Sequence, residues 1–502
     1  MLPSSLPMTV FEEYMLLDGS PVYPMECHCR FRFAGGFNHE IMETALAEVL
    51  QNHPFLYAHC RERKKFRYAW EIPSFGPTRE ERVRHGRKFT EILGTRLYWL
   101  TGKCREEEFP REVRELLDIW NEAMIRVFIM EEKDAEGNVV RSDFILKCHH
   151  SASDGKGIFR FIIDLLIEYA RRKEGIEDPG WVKIPVIRPE SLIHRSWYGM
   201  GFWGWTRQRF FCTVYLPRSL RFIFNKVQPF FQKAIEQTEL LKKAESEGTQ
   251  PDSELLPKNP PHAKHPTLLF RKLSVEKSSQ ILRKCHEKQC TFNDVMLQAV
   301  WCAAKAWREK HADVAYSGPR KWIRIAVPLD MRHKSQQDSP ASNIVSMVFC
   351  DRQEKQINAS DRFLRGVQKE MRCVKRFNLG FLLIEGMKDV IVTRGNLKSA
   401  VKMCDCWSSV VLTNLGPVFT QKQVPFPRNT QGKIQIGDLI LEEVDSASPI
   451  RPQTNFSICC TTYAGEMQIS MIYDTILMSR ELADDFFSLV LEKMEEILDL
   501  KP

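Results

Sequence analysis

The sequence contains no uninterrupted apolar run of the roughly 18 residues that a spanning helix requires, so no transmembrane segment is expected. Its start, MLPSSLPMTVFEEYM, lacks the basic residues and the apolar block of a secretory signal. A cytoplasmic location is the resulting expectation, extended to the periphery of a membrane by the composition of residues 195–231. CxxC pairs are missing as well. The 15 cysteines are scattered, often in strand-like stretches such as Cys27 and Cys29, Cys404 and Cys406, or Cys459 and Cys460. That spacing excludes the common zinc and thioredoxin-like signatures and leaves reduced, mostly buried thiols, with no metal ligand set. Acid is missing from one long stretch: none lies between Glu190 and Glu236.

A length of 502 residues allows two or three domains of common size, each able to bury its own core. MECHCRFRF (25–33) alternates as a strand. NHEIMETALAEVLQNHP (38–54) carries Ile41, Ala45, Leu46, Val49 and Leu50 on one helical face. Residues 109–121 suggest another helix. MIRVFIMEE and NVVRSDFILKC read as a hairpin around KDAEG, and GIFRFIIDLLIEYARR (157–172) as an amphipathic helix whose basic end suits the helix dipole. Residues 233–265 are polar, proline-rich and without periodicity, the best linker in the chain. Beyond it, LLFRKLS is a strand, SVEKSSQILRKCHEK a helix and TFNDVMLQAVWCAAKAWREK a second helix, with Thr291 as N-cap and Asp294 at N3. WIRIAVPLDMR, NIVSMVFC, SSVVLTN, DLILEEV, FSICCTTY and MQISMIY read as strands, and 358–376 as a helix. AGE (464–466) turns the last hairpin, and SRELADDFFSLVLEKMEEIL closes the chain as an amphipathic helix. Two mixed α/β halves of similar size result, without a short-period repeat.

GMGFWG (199–204) has GxGxxG spacing, but SWY precedes it, WTRQRFF follows it and no acid appears for more than thirty residues downstream, so a dinucleotide site is rejected. Around it, 195–231 holds Arg195, Arg207, Arg209, Arg218, Arg221 and Lys226 among aromatics. A buried crossover with snorkelling arginines is one reading, and a membrane-facing segment is a second. A nucleic-acid grip is a third. No recognised module supports it, and no nucleic-acid partner is expected.

KCHHSASDGKG (147–157) is the strongest chemical signal. Histidine titrates near neutral pH and so suits proton transfer. Successive side chains at a strand end point opposite ways, which lets at most one of His149 and His150 face a given cleft. Asp154 could compensate charge nearby, or it could simply cap a helix beside two packed histidines. The residues alone leave both readings open.

HHSASDG resembles the HHxxxDG signature of the superfamily of condensation domains and CoA-dependent acyltransferases, which includes chloramphenicol acetyltransferase-like, BAHD and alcohol acetyltransferase-like enzymes. The resemblance continues in order along nearly the whole chain. HPFLYA (53–58) is similar to the HPxL step, and NEAMIRVFIMEEKDAEGNVVRSDFILKCHH to the hairpin leading into the histidines. TFNDVMLQAVWCA resembles the helix lining the cleft, VPLDMR the V-x-x-D-x-R strand end, ASNIVSM and TNLGPV two further cleft segments, and TTYAGEMQISMIYD the terminal hairpin.

The resemblance implies an α/β (α+β) protein of two chloramphenicol acetyltransferase-like lobes, each a mixed sheet with flanking helices, with the active-site tunnel between them. Residues 1–205 would form the N-terminal lobe, 206–265 the basic aromatic crossover and polar linker, and 266–502 the C-terminal lobe. It implies His150 as the general base, acting as the acceptor attacks an acyl thioester, with no acyl-enzyme and hence no nucleophilic role for Cys148. His149 would pack, Asp154 would pair with Arg332, Gly155 would let the loop turn into the helix, and Asn414 would position substrate or steady an oxyanion. No cofactor would be bound. Acyl-CoA or an acyl-carrier thioester would be co-substrate, an acyl carrier protein a candidate partner, and an alcohol the acceptor in preference to an amine. The absence of DFGWG departs from the plant-type BAHD pattern. With no adenylation or carrier segment in the sequence, a free-standing O-acyltransferase is expected. A condensation enzyme forming amides or esters from carrier-bound donors is the first alternative, and a non-catalytic binding homologue the second.

Overall fold

The alternation in MECHCRFRF produces a strand, Glu26–Ala34, in the interior of the first sheet. The computed structural model describes residues 3–64, 67–73, 97–104, 109–175, 188–198, 200–249, 267–336, 339–398, 401, 406–421, 424 and 426–500. Its first six-stranded sheet runs Gln435–Ile436, Leu439–Ala447, Glu26–Ala34, Val139–His149, Ile125–Lys133, Leu97–Thr101. The second runs Val345–Gln353, Trp322–Asp330, Val410–Pro417, Phe456–Tyr463, Glu466–Tyr473, Thr267–Leu273. Both are mixed. Leu97–Thr101 is parallel to Ile125–Lys133, and Val410–Pro417 is parallel to both of its neighbours. A small third sheet joins Ser5–Pro7, Arg67–Glu71 and His59–Lys64. Two strands from late in the chain, Gln435–Ile436 and Leu439–Ala447, thus complete the sheet built mainly from the first half, the longer one pairing antiparallel with Glu26–Ala34.

Cys27, Cys29, Phe31 and Phe33 belong to the first core, with Leu46 and Leu50 of helix His39–Leu50 and Phe161 and Leu165 of helix Gly155–Glu174. The opposite face of the strand, which alternation alone would leave wet, is buried too. Its charges are neutralised in place: Glu26 pairs with Lys147 (2.7 Å), Arg30 Nε with Asp445 (2.7 Å), and Arg32 with Asp143 and Glu443 (both 2.9 Å). Unpaired charges there would carry a heavy desolvation penalty. The second core lies under helices Phe292–Lys310 and Arg480–Ile497, around Trp301, Trp307, Phe486 and Phe487. Thr291 and Asp294 form the reciprocal cap expected of them, which stabilises the helix start by about 1 kcal/mol. Ala464 (φ 49°) and Gly465 (φ 84°) make the last hairpin turn, the two positive φ angles of a type I′ loop.

Two expectations are corrected. Residues 109–121 form only the short 3₁₀ turn Arg111–Arg114. Lys147 Nζ takes the carbonyls of Val113 (3.1 Å) and Glu115, and Leu117 N–H donates to Glu26 (2.7 Å), so backbone groups that a helix needs are committed to the buried ion pair. The linker 233–265 begins as a helix, Lys233–Glu247. Its first turns are anchored by polar contacts that a hydrophobic period does not reveal: the Tyr23 hydroxyl donates to Gln237 (2.7 Å), and Gln453 to Thr238 (2.8 Å). Residues 250–265 lie outside the described residues. Among the described residues no helix is long and apolar enough to cross a membrane.

Candidate active site

The loop after Val139–His149 is held by a short seam of second-half residues, 341–344. Asp154 caps helix Gly155–Glu174, accepting from Gly157 N–H at Oδ1 (2.9 Å). Its Oδ2 accepts from Ile344 N–H and from Arg332 Nη1, each at 2.8 Å. Arg332 Nη2 donates to the Ser342 carbonyl (2.8 Å), and Asn343 Nδ2 to the His150 carbonyl (2.6 Å). Ala341 N–H donates to His53 Nδ1 (2.9 Å), which puts the imidazole proton on Nε2, aimed at Asp164 (3.1 Å). Histidine in the HPFLYA segment is therefore a tie between the motif helix and the seam.

Gly155 stands in the first turn of that helix without a left-handed φ, so it is not the turning residue expected from the sequence. A Cβ there would meet only the far end of Leu415, at 2.8 Å. Gly157 is the position with no room: a Cβ would lie 2.3 Å from Ser153 Oγ and 2.9 Å from both the N and O of Ser342. Gly157→Ala is expected to destabilise the protein by about 1–3 kcal/mol, because backbone cannot yield as a side chain can. Thermal denaturation checks this, and an unchanged midpoint would contradict the close approach.

Between the halves lies a cavity of about 170 Å³. His150, Asp154, Gly155, Arg332 and Asn414 all line it. His149 does not. It is buried behind the loop, with Nδ1 2.7 Å from Ser151 Oγ, and burial pushes its pKa down to about 3. His150 is half-buried, and burial lowers its pKa from the ordinary 6.5 against the opposing pull of its own backbone, Asp154 and Ser153. Both imidazoles are thus neutral at neutral pH. Three cavity-lining thiols are held protonated: contact with Cys148 and burial push Cys27 up, and burial does the same to Cys29 and Cys459. Cys148 itself is fully buried and donates to the His149 carbonyl (3.4 Å). At the rim, burial alone would raise Asp330, but Arg332 and Lys156 hold it below the ordinary value, with Lys156 at 2.7 Å.

Asn414 sits at a β-bulge between Asn414 and Gly416, where Gly416 adopts φ 68°. Gly416 N–H donates to Asn414 Oδ1 (2.9 Å), which leaves the amide NH₂ as the exposed donor. The far side of the cavity was not anticipated. Tyr14 stacks on Trp407 (5.1 Å), and Arg451 lies over Trp407 (5.1 Å) while pairing with Asp18 (2.8 Å). Asp18 and Arg451 are 433 residues apart and no local pattern joins them. Asn343 lies within ASNIVSM, but its short contact is with a backbone carbonyl, which leaves no mark in a sequence; its amide also stands 3.5 Å from His150 Nδ1.

No family model matches the sequence, and no curated protein matches it. Solved structures match it over nearly its full length. TRI3 trichothecene 15-O-acetyltransferase from Fusarium sporotrichioides superposes with a TM-score of 0.64 at 11% identity, over 98% of this chain and 95% of that one. The first condensation domain of the CDA synthetase gives 0.61 at 12% identity, over 99% and 97%. The chain has the condensation-domain fold. SgcC5 from Streptomyces globisporus shares it too, with a TM-score of 0.59 at 16% identity, over 98% and 99%. The condensation-domain fold matches the two-lobed α/β architecture expected from the sequence, with mixed sheets, flanking helices and a cavity between.

Proposed function

We propose that this protein is an acyltransferase that moves an acyl group from acyl-CoA or an acyl-carrier thioester to the hydroxyl of an alcohol. The observation that carries this reading is His150: a half-buried imidazole, kept neutral by burial, lining a cavity built from both halves. In this reading His150 accepts the hydroxyl proton as the oxygen bonds to the thioester carbon. The Asn414 amide meets the charge developing on the carbonyl oxygen. Collapse breaks the C–S bond, and the departing thiolate takes the proton back from His150, leaving an ester and a free thiol. The protonated cavity thiols are poor nucleophiles, which supports direct transfer without an acyl-enzyme. Asp154 is occupied by Gly157, Ile344 and Arg332, so its part is to hold the loop.

Phe11, Tyr14, Met347 and Trp407 in the cavity wall suit an apolar acceptor or acyl chain. Two structural neighbours support an alcohol: one is a 15-O-acetyltransferase, and SgcC5 was solved with (R)-(-)-1-(2-naphthyl)-1,2-ethanediol. The condensation-domain neighbours keep the carrier-bound donor as the second reading. The test offers the same acyl groups as CoA and as carrier thioesters, with alcohols and amines, and follows free thiol. Alcohol-dependent release from CoA supports the first reading. Release from carrier thioesters alone supports condensation, and none from either leaves a binding protein. Activity should also persist below pH 6.5, the ordinary histidine value. Protonation of His150 removes the base, and burial displaces that loss below 6.5. A kcat/KM profile whose acid limb sits at or above 6.5 would contradict the assignment.

A further inference from the structure

Of the acid-free stretch 195–231, the two ends turn inward. Arg195 is buried against Glu12 (2.7 Å) and over the Phe55 ring (4.7 Å). Phe230 and Phe231 fill the second core. Arg218 pairs with Glu370. What remains outside is a pair of helices, Phe202–Val214 and Leu216–Phe224. On them Phe202 is 70% exposed, Trp203 81%, Phe210 64% and Phe224 72%, with Val214 and Leu216 also in solvent. Scattered exposed apolar residues are ordinary, but large rings clustered on two consecutive helices are not.

The pattern on the first helix is specific. At 3.6 residues per turn, Phe202, Phe210, Trp203 and Val214 fall within an arc of about 120°, bordered by Arg209 on one side and Arg207 on the other. Only Gln208 and Cys212 are buried on that helix. Gln208 Nε2 donates to the carbonyls of Phe377 and Asn378 (both 3.2 Å), so the inner face is fixed and the aromatic arc is held outward. Arg221 is exposed on the second helix, and Lys226 follows it. No carboxylate lies anywhere in this part of the chain.

We infer that helices Phe202–Val214 and Leu216–Phe224 form a docking surface for an anionic phospholipid bilayer. The rings enter the headgroup and acyl boundary while Arg207, Arg209 and Arg221 meet lipid phosphates and carboxylates. Charge complementarity favours an anionic surface, and rings this exposed fit hydrocarbon better than a folded acidic partner. The platform also adjoins the cavity. Cys212 packs in one cluster with Met331, the residue between Asp330 and Arg332 at the rim. A docked bilayer would thus lie beside the segment that carries Asp330 and Arg332 into the cavity wall, on the side from which an apolar acceptor could pass from lipid to site. The docking surface itself does not depend on the acyl-transfer reading.

Co-sedimentation of the full chain with phosphatidylcholine vesicles, with and without phosphatidylserine, tests it. Binding is expected with phosphatidylserine, weakening as salt is added. Each basic group near an anionic surface contributes roughly a fivefold factor, so reversing Arg207, Arg209 and Arg221 to glutamate should weaken binding by at least about 100-fold. A second variant, F202S/W203S/F210S, keeps every charge and should lose binding by a similar factor, with an unchanged melting temperature as the folding control. The inference fails if wild type ignores phosphatidylserine vesicles or if folded variants sediment like wild type. It fails equally if the same residues prove to hold an acidic carrier protein, or a second copy of the chain, in place of lipid.

Discussion

Replacing His150 by alanine should lower kcat by about 10²–10⁴-fold, the usual contribution of a positioned base, with KM for the acceptor little changed. The substitution is clean because residue 150 divides its duties. Its short structural contacts come from backbone, where N–H donates to the Met25 carbonyl (2.7 Å) and the carbonyl accepts from Asn343 (2.6 Å); the imidazole adds only Nδ1, 3.5 Å from Asn343 Nδ2. Alanine keeps both backbone contacts. Only the imidazole is lost, so melting should barely move while alcohol-dependent thiol release collapses. Release that continued at the wild-type rate in a folded His150→Ala protein would end the general-base assignment.

Arg332→Ala should cost stability, by roughly 3–5 kcal/mol, because it strands the Asp154 carboxylate in a buried site. The side chains are only 12% and 6% exposed, so water can screen little of the interaction. Burial by itself would lower the Arg332 pKa, and Asp154 with Asp330 raises it instead, so the guanidinium stays charged throughout. The double variant Asp154→Asn/Arg332→Ala separates charge from shape. An amide can still accept from Gly157 N–H, and no buried charge is left over, so the double variant should be more stable than the sum of the single effects. Urea denaturation of the four proteins measures the coupling. Strict additivity would mean that the pair does not hold the two halves together.

The parts legible in the sequence are those with local signatures. Alternation marked Glu26–Ala34, and reciprocal capping marked Thr291. The motif spelled out the loop, and its resemblance to known sequences anticipated a contact between Asp154 and Arg332, which stand 2.8 Å apart. What escaped depends on partners far away in sequence. Residues 109–121 are helical in pattern but yield their carbonyls to Lys147. Residues 233–247 look like linker until Tyr23 and Gln453 arrive. The seam at 341–344 works mainly through backbone groups, which every residue but proline possesses and no composition betrays.

Strand exchange sets the order in which this protein can be finished. Cys29 and Ser446 are register partners and yet 417 residues apart. At about 5–20 residues per second of synthesis, the open edge of Glu26–Ala34 waits roughly 20–80 s for its last neighbour. An unpaired edge is an invitation to aggregate, and charge is the common safeguard. Arg30 and Arg32 lie on that edge. In the nascent chain Asp143 already meets Arg32, while Arg30 stays an unmatched charge that disfavours pairing with another copy's edge until Asp445 emerges; in the finished protein both clasp the arriving strand. Arg30 would serve first as a guard and then, with Arg32, as a latch.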